Sequence, residues 1–470
     1  MAATGAGLSA PAATAAAPAG AARSVAARAD AVDGVWRTDG YGTVLRVAGG
    51  HLELYQTTSV SCLPGGTGEA AGPADEHGAV RYDLSAGSVV LRPGALPGRA
   101  VLHGDGAAGD ARLLRVAELP AACLRAAPKG PRAVFDVFWE TFRENYPFFA
   151  AKGVDWEAVR DRYRPQVTDE TTPARLFAVL RAMVEPLYDA HVYVSAPPAG
   201  GFAQGRPGTT PPSPDYDAKI LSYVADRDLH DPGRKRIQSF ANGHISYLDL
   251  PGDRGYLRVS AFADYVEDGT YAREAAELDR ALDAVLNPER TARLRGLVID
   301  LRVNSGGYDA LGLKIAARLA DRPYLAYAKR ARNDPDHPMR HTAPQPIPVR
   351  PAHAPRYTGP VAVLTSGSTM SAGESFTQAL MGRPGRTVRI GESTQGVFSD
   401  VMDRVLPGLP GVAEPWGFGL PNEEFLDAAG RTYDGAGIPP QVATPVFTAE
   451  EFAHRRDSAF DTALAVLGRE

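Results

Sequence analysis

The sequence predicts an α/β core, preceded by a helical segment and a small antiparallel β domain. Three observations carry that reading. Polar and apolar residues alternate between about 31 and 127, the mark of half-buried strands. Apolar residues recur three and four apart between 128 and 195, the spacing of one helix face. Beyond 245, unbroken apolar runs end in glycine loops that lead into helical stretches, twice over, as in α/β proteins. The 470 residues are 44% hydrophobic and carry a formal net charge of −5. That is enough apolar material for roughly two to four domains.

Composition excludes several classes. No run approaches the roughly 20 apolar residues that span a bilayer, so a soluble protein with no membrane span is expected. A near-neutral charge with no basic block argues against a general nucleic-acid binder. Glycine (49) and proline (39) are abundant but without period, which excludes collagen-like repeats. Two cysteines are too few for zinc ribbons, iron–sulfur sites or cysteine-rich scaffolds.

Residues 1–30 are half alanine and lack the Leu/Val/Ile block of a signal peptide. They read as a disordered tail, or as the remnant of a cleaved signal behind a new Met. In 31–127, Thr43–Val47 and His51–Tyr55 around Gly49-Gly50 form one predicted hairpin, and Ala79–Leu84 with Ser88–Leu91 a second. Cys62 and Cys123 lie in this segment. Paired, they would close a loop of about 60 residues worth ~4 kcal/mol by loop-closure entropy. Two buried free thiols are the alternative. Pairing is favoured because nothing beside either cysteine suggests catalysis, and it points to an oxidising, extracytoplasmic setting.

In 128–200, a predicted helical cap subdomain, Val134, Phe135, Phe138, Trp139 and Phe142 form one helix face that ends at Pro147. Asp155-Trp156 opens a second helix, and Thr172-Pro173 supplies an N-cap and first-turn proline for a third. Leu187–Val194 follows as a strand-like run containing His191. A Pro/Gly-rich loop and connector fills 201–244 and, starting at 197, reads as a loop or flap to 216. The α/β core occupies 245–470. Its strands are 245–248, 255–259, 297–301 and 361–364, and its helices 271–286, 308–320 and 371–381.

Two places join a strand end, a glycine and a helix start, where backbone N–H groups point outward and can stabilise an anion. They are Asn304-Ser305-Gly306-Gly307 and Thr365–Glu374. A serine on a helix's first turn offers a hydroxyl nucleophile and half of an oxyanion hole. Ser371-x-x-Glu374 is also a capping box, and by spacing alone the cap is favoured. Gly306-Gly307 could be only a tight turn. The G-x-S-x-G elbow of α/β-hydrolases is absent around Ser371.

Taken together, these stretches resemble the S41 serine peptidases, the family of tail-specific and tricorn-core proteases. Asp300–Gly307 matches its D-L-R-x-N-x-G-G motif, Ser371–Glu374 its S-A-x-E nucleophile run, and Gly391–Gly396 its G-x-x-T-x-G motif. The resemblance runs from about 132 to 442. Where processing proteases carry a lysine base, this chain has Val397, and it has no room for their PDZ domain. Leu187, Asp189 and His191 instead match the L-x-D-x-H of the tricorn-like branch. A lone histidine in a strand is ordinarily just a partly buried side chain; its place in this motif reverses that.

The resemblance implies a crotonase-like spiral α/β core and a catalytic set of Ser371, His191 and an acid. Asp434 stands where the branch has a glutamate, Gln441 replaces its aspartate, and Ala190 stands where the tricorn core has a serine. The implied oxyanion donors are the N–H groups of Ala372 and of Gly306 or Gly307. The implied partner is a peptide or unfolded protein substrate, with no cofactor and no metal. His337 and His341 sit four apart near carboxylates, but prolines preclude a regular helix there. A second reading is a catalytically weakened binding protein of this fold for a hydrophobic ligand or peptide, which the changes at Ala190, Asp434 and Gln441 favour. A third is an unrelated acyl-transferring esterase. Nothing in the sequence fixes cleavage preference or oligomeric state.

Overall fold

The structure is a computed structural model that describes residues 32–85, 87–229, 237–267 and 269–468; the alanine-rich segment 1–30 lies outside them. Eight antiparallel strands open the chain: β1 (Gly34–Thr38), β2 (Thr43–Ala48), β3 (His51–Thr57), β4 (Cys62–Ala70), β5 (Val80–Leu84), β6 (Gly87–Pro93), β7 (Arg99–Gly104) and β8 (Ala111–Val116). The expected hairpins are β2–β3 and β5–β6. β1 pairs with β8, Val35 opposite Val116 and Thr38 opposite Leu113, so the sheet closes into a barrel. Its interior is the inward phase of the alternation, including Trp36, Leu45, Leu52, Tyr82, Leu91 and Leu113. Closure leaves no free edge. The pairing that produces it joins residues far apart in sequence, and no local pattern carries it. Cys62 and Cys123 are bonded and fasten the segment that leaves the barrel back onto β4.

Three helices follow: α1 (Pro131–Asn145), α2 (Trp156–Tyr163) and α3 (Pro173–Val184). Their starts obey the expected capping chemistry. Asp155 accepts from Ala158 N–H and Thr172 from Arg175 N–H. These helices are not a separate helical subdomain. They pack on a four-stranded sheet made of β9 (Tyr193–Ala196), β10 (Gly200–Ala203), β21 (Val401–Val405) and β22 (Gly417–Pro421). Phe418 of β22 lies 4.8 Å from the Phe138 ring and 5.8 Å from that of Phe142. A helix face read locally cannot show that its partner arrives 280 residues later.

The core is a seven-stranded sheet in the order β11 (Gln238–Phe240), β12 (Ile245–Leu250), β13 (Arg254–Val259), β14 (Gly296–Asp300), β18 (Val361–Thr365), β20 (Thr387–Gly391), β24 (Val442–Ala443). The first three strands are antiparallel and the rest parallel. Leu297 and Ile299 of β14 face α5 (Tyr271–Val285), α6 (Asp309–Ala317) and α7 (Ala372–Met381). Val298 faces the opposite layer, α4 (Pro214–Arg227) and α8 (Ser458–Leu467). Both faces are covered, which is why these strands read as unbroken apolar runs.

This is a correction to the expected spiral core. The α/β residues form one mixed open sheet with smaller sheets beside it. Those are β17 (Gln345–Val349) and β23 (Glu423–Leu426) flanking β16 (Tyr324–Ala331), and the short pair β15 (Val303–Asn304) and β19 (Ser368–Thr369). Two local expectations also change. The run 187–194 is a short helical turn and a loop, with a strand only from Tyr193, so His191 lies in a turn. The segment 197–216 is not loop throughout: it contains β10 and the start of α4, which Ser213 caps.

Candidate active site

Ser371 sits between β19 and α7 with φ 54° and ψ −124°, a backbone conformation that non-glycine residues rarely adopt. Such strain amounts to about 1–3 kcal/mol and persists only where the surroundings enforce it. Here they do. The Ser371 N–H donates to the Val397 carbonyl (3.0 Å), and its own carbonyl accepts from Glu374 N–H (2.8 Å). The capping-box alternative fails on its serine side, because the Ser371 hydroxyl makes no cap bond. Its glutamate does reach back toward the Ser371 N–H, but also clamps the glycine-rich loop, accepting from Gly396 N–H (2.7 Å) and Val397 N–H (2.8 Å). Burial pushes the Glu374 carboxyl up to about 7 against those donors. The S-A-x-E and G-x-x-T-x-G motifs are thus two sides of one clamp, and Ser371 beside it is half-buried.

The Asp300–Gly307 loop closes against the same spot. A Cβ on Gly306 (φ 85°) would stand 2.5 Å from Ser371 Cβ, so the loop can approach only as glycine. The Gly306 N–H donates to Asn304 Oδ1 at 3.0 Å and is committed there. Among the described residues, the N–H groups of Gly307 and Ala372 donate to nothing, and Ala372 N lies beside Gly306. Of the three oxyanion candidates, Gly307 and Ala372 therefore keep uncommitted donors, Ala372 directly after the serine and Gly307 directly after the glycine that packs on it.

The histidine half is looser. His191 is 6% exposed, and its N–H donates to Asp189 Oδ1 (3.0 Å) while the Tyr146 hydroxyl donates to Asp189 Oδ2 (2.9 Å). Burial holds the imidazole below its usual value, partly offset by the Asp189 and Asp400 carboxylates and by the neighbouring Ser399 backbone. A neutral ring at neutral pH is what a general base requires. Its Nδ1 is buried without a partner. No hydrogen bond joins His191 to Ser371 or to Asp434 among the described residues. Asp434 instead accepts from Phe398 N–H (3.2 Å) and the Thr432 hydroxyl (3.0 Å). Burial, with Asp189 nearby, pushes its carboxyl well above the carboxylate range.

Sequence reasoning missed three sets of supporting residues. Asn304 is fully buried and donates to the Val259 carbonyl (2.8 Å) while holding Gly306. Arg302 is 1% exposed and bridges Asp300 (2.7 Å) to Asp457 (2.6 Å), which fixes the end of β14 against α8. Lys329 is buried and pairs with Asp400 (2.6 Å) and Glu423 (2.8 Å). Lys329 lies on the buried phase of β16 with Tyr327 and Ala331. A lysine in the apolar phase of a strand was the available signal. Elsewhere, His337 bonds Asp334, and His341 pairs with Glu424. No group of three or more His, Cys, Asp or Glu that could hold a metal occurs among the described residues.

Comparison with known proteins bears on the family of the core. Residues 253–444 match the profile of Peptidase family S41, and residues 128–185 that of the Tricorn protease C1 domain. The α/β core is therefore homologous to the peptidase domain of family S41. The chain is also similar to Tricorn protease homolog 1 of Streptomyces coelicolor, 27% identical over 197 residues. That match covers 42% of this chain and only 16% of the relative. A solved structure of a putative peptidase from Parabacteroides merdae superposes with a TM-score of 0.59 at 24% identity. It covers 72% of this chain and 97% of its own, a likeness of fold.

Proposed function

We propose that this protein is a serine peptidase that cuts peptides or unfolded chains by acyl transfer from Ser371. The observation that carries the reading is the strained serine at a helix start, beside two uncommitted backbone donors. In this mechanism His191, kept neutral by burial, takes the Ser371 proton as the oxygen attacks the scissile carbonyl. The N–H groups of Gly307 and Ala372 receive the oxyanion, and Gly306 only shapes the loop. His191 returns the proton to the leaving amine, and water clears the acyl-enzyme by the same route. The Ser371–His191 hydrogen bond forms when substrate occupies the site, since catalytic hydrogen bonds are often long in unliganded enzymes. The proposal includes an oxidising, extracytoplasmic setting, supported by the Cys62–Cys123 bond.

One observation favours a second reading, a fold that binds peptides or hydrophobic ligands with little cutting: Asp434 does not reach His191. Intact mass after fluorophosphonate treatment separates the two. A single adduct on wild type, absent from Ser371→Ala and His191→Ala, is expected of the peptidase. Folded wild type that takes no adduct would sink it.

A further inference from the structure

We propose that the barrel is a positioning element of the active site: Gly106, in the turn between β7 and β8, packs on the Tyr308 ring and so sets the Gly307 N–H of the oxyanion hole. The inference rests on the serine-peptidase reading and gives the barrel a part in the same reaction. The barrel's interior is filled by Trp36, Tyr82 and aliphatic side chains, so what it offers its neighbours is its outer turns. One of those turns, residues 104–110, enters the α/β core. Its Ala108 is 4% exposed and belongs to the apolar cluster that α5, α6 and α7 share.

The backbone around Gly307 shows what has to be held. Phe262 N–H donates to the Gly306 carbonyl (2.6 Å), and Tyr308 N–H donates to the Phe262 carbonyl (2.8 Å). Phe262 and Gly307 thus form a parallel bridge, and the Gly307 N–H between those two bonds points away from Phe262. Gly307 is exposed, so that donor is open to a ligand. Its direction follows from the residues on either side. Asn304 holds Gly306 on one side. On the other side stands Tyr308, and the barrel holds it.

Gly106 has φ 79°, and a Cβ there would stand 2.8 Å from Tyr308 Cγ and closer still to Cδ1, so the ring packs directly on bare backbone. The Gly106 carbonyl also accepts from Ala310 N–H (3.2 Å), a first-turn donor of α6 that has no partner within its own helix. The same ring meets Tyr271 of α5 edge to face, with centroids 5.4 Å apart. The barrel turn is itself held at both ends. Arg81 of β5 grips Asp105 with two bonds (2.8 and 3.0 Å), and Asp110 N–H donates to Gln345 Oε1 of β17 (2.9 Å). Tyr308 is therefore wedged between the barrel and α5, one residue beyond the oxyanion donor. A displaced donor weakens the transition state more than the bound substrate, because the oxyanion develops only there.

The test is kcat and KM for peptide cleavage on the full chain, per site titrated with fluorophosphonate. The variants are Gly106→Ala, Tyr308→Ala, Tyr308→Phe, the double Gly106→Ala/Tyr308→Ala, and Gly98→Ala as control. Gly98 has a similar φ of 72° in the β6–β7 turn, but a Cβ there meets only Arg115, at 3.9 Å. Gly98→Ala therefore strains the barrel alike without touching Tyr308, and it should match wild type. Gly106→Ala and Tyr308→Ala should each lower kcat about 10-fold with KM within roughly twofold, short of the roughly 10²–10³ that losing an oxyanion donor outright costs. Tyr308→Ala carries no backbone strain and keeps the test open should Gly106→Ala fail to fold. Tyr308→Phe, which keeps the ring, should restore most of kcat. The double variant should fall no further than Tyr308→Ala, because both changes break one contact. Losses that multiply in the double variant, an unchanged kcat in both single variants, or an equal fall in Gly98→Ala overturn the proposal. If wild type takes no label, the peptidase reading fails instead, and hydrogen exchange of Tyr308 N–H decides the contact alone. It must speed up in Gly106→Ala and not in Gly98→Ala, and equal protection in the two overturns the coupling.

Discussion

The two halves of the site are built by different means. Around Ser371, three short motifs hold one another through backbone bonds, and the geometry is over-determined. Around His191, the motif supplies the ring and the Asp189 that orients its backbone, while Asp434 accepts from Phe398 N–H and the Thr432 hydroxyl and makes no bond to the ring. Local sequence can specify a serine, its strained turn and its donors within a few residues of each. An imidazole's partner can arrive from any strand that passes. The difference teaches that short motifs can over-determine a nucleophile while the partner of its base is left to residues distant in sequence.

The largest expected effect tests the over-determined half. Ser371→Ala should abolish covalent labelling and lower peptide turnover by roughly 10⁶-fold, as for nucleophile loss in serine enzymes generally. The measurement is turnover of a peptide library by mass spectrometry, with folding checked by circular dichroism. Turnover that survived in the alanine variant would place the chemistry elsewhere.

The same contrast decides what was legible. The α/β elements of 245–470 were readable because buried parallel strands are continuous apolar runs. The serine motifs were readable because each spans eight residues or fewer. Barrel closure, the docking of Phe138 on Phe418 and the Lys329 pairs were not, since each joins segments whose spacing carries no period. The expected strand over 187–194 failed because Tyr188 adopts φ 46° and Asp189 turns its carboxylate back onto the His191 N–H. Apolar alternation there reflects burial of a turn.

Next in size is the pillar beneath the glycine loop. Among the described residues two carboxylates form salt bridges with Arg302, which is 1% exposed; Asp457→Ala removes one and leaves Asp300. Removing one partner of a buried ion pair typically costs about 3–5 kcal/mol. Urea unfolding should show that loss, and labelling of Ser371 should fall with it because the segment that leaves β14 carries the Gly307 donor. A fully stable variant with intact labelling would mean that the serine half does not depend on this support.

The barrel supplies a matched test of the other half. Replacing both cysteines with serine opens a bond of sequence separation 61, for which loop-closure entropy predicts a loss of about 4 kcal/mol. Since the Tyr41 hydroxyl of the barrel donates to Glu423, a milder Tyr41→Phe variant should lower stability slightly without changing the conformation of Ser371. Hydrogen exchange in 365–374 should match wild type in Tyr41→Phe. Loosening there would show that the two halves are mechanically one.

The smallest effect lies inside the serine half, at Glu374. Its carboxyl is fully buried, and burial raises it from the ordinary 4.5 to about 7. The native state therefore binds the extra proton between those values. Stability from this group is fully present below about pH 4.5 and is lost as pH rises through 7, an amount of about 3 kcal/mol. Glu374→Gln keeps an acceptor for one of the two loop N–H groups and never ionises. Relative to wild type it should gain stability as pH rises from 5 to 8, with the two nearest in stability, or the variant slightly weaker, at pH 5. Urea unfolding at pH 5, 6.5 and 8 measures the difference. A gap between variant and wild type that stays constant with pH would show that the three backbone N–H groups aimed at the carboxylate outweigh its burial, and the serine clamp would then be anionic at all these pH values.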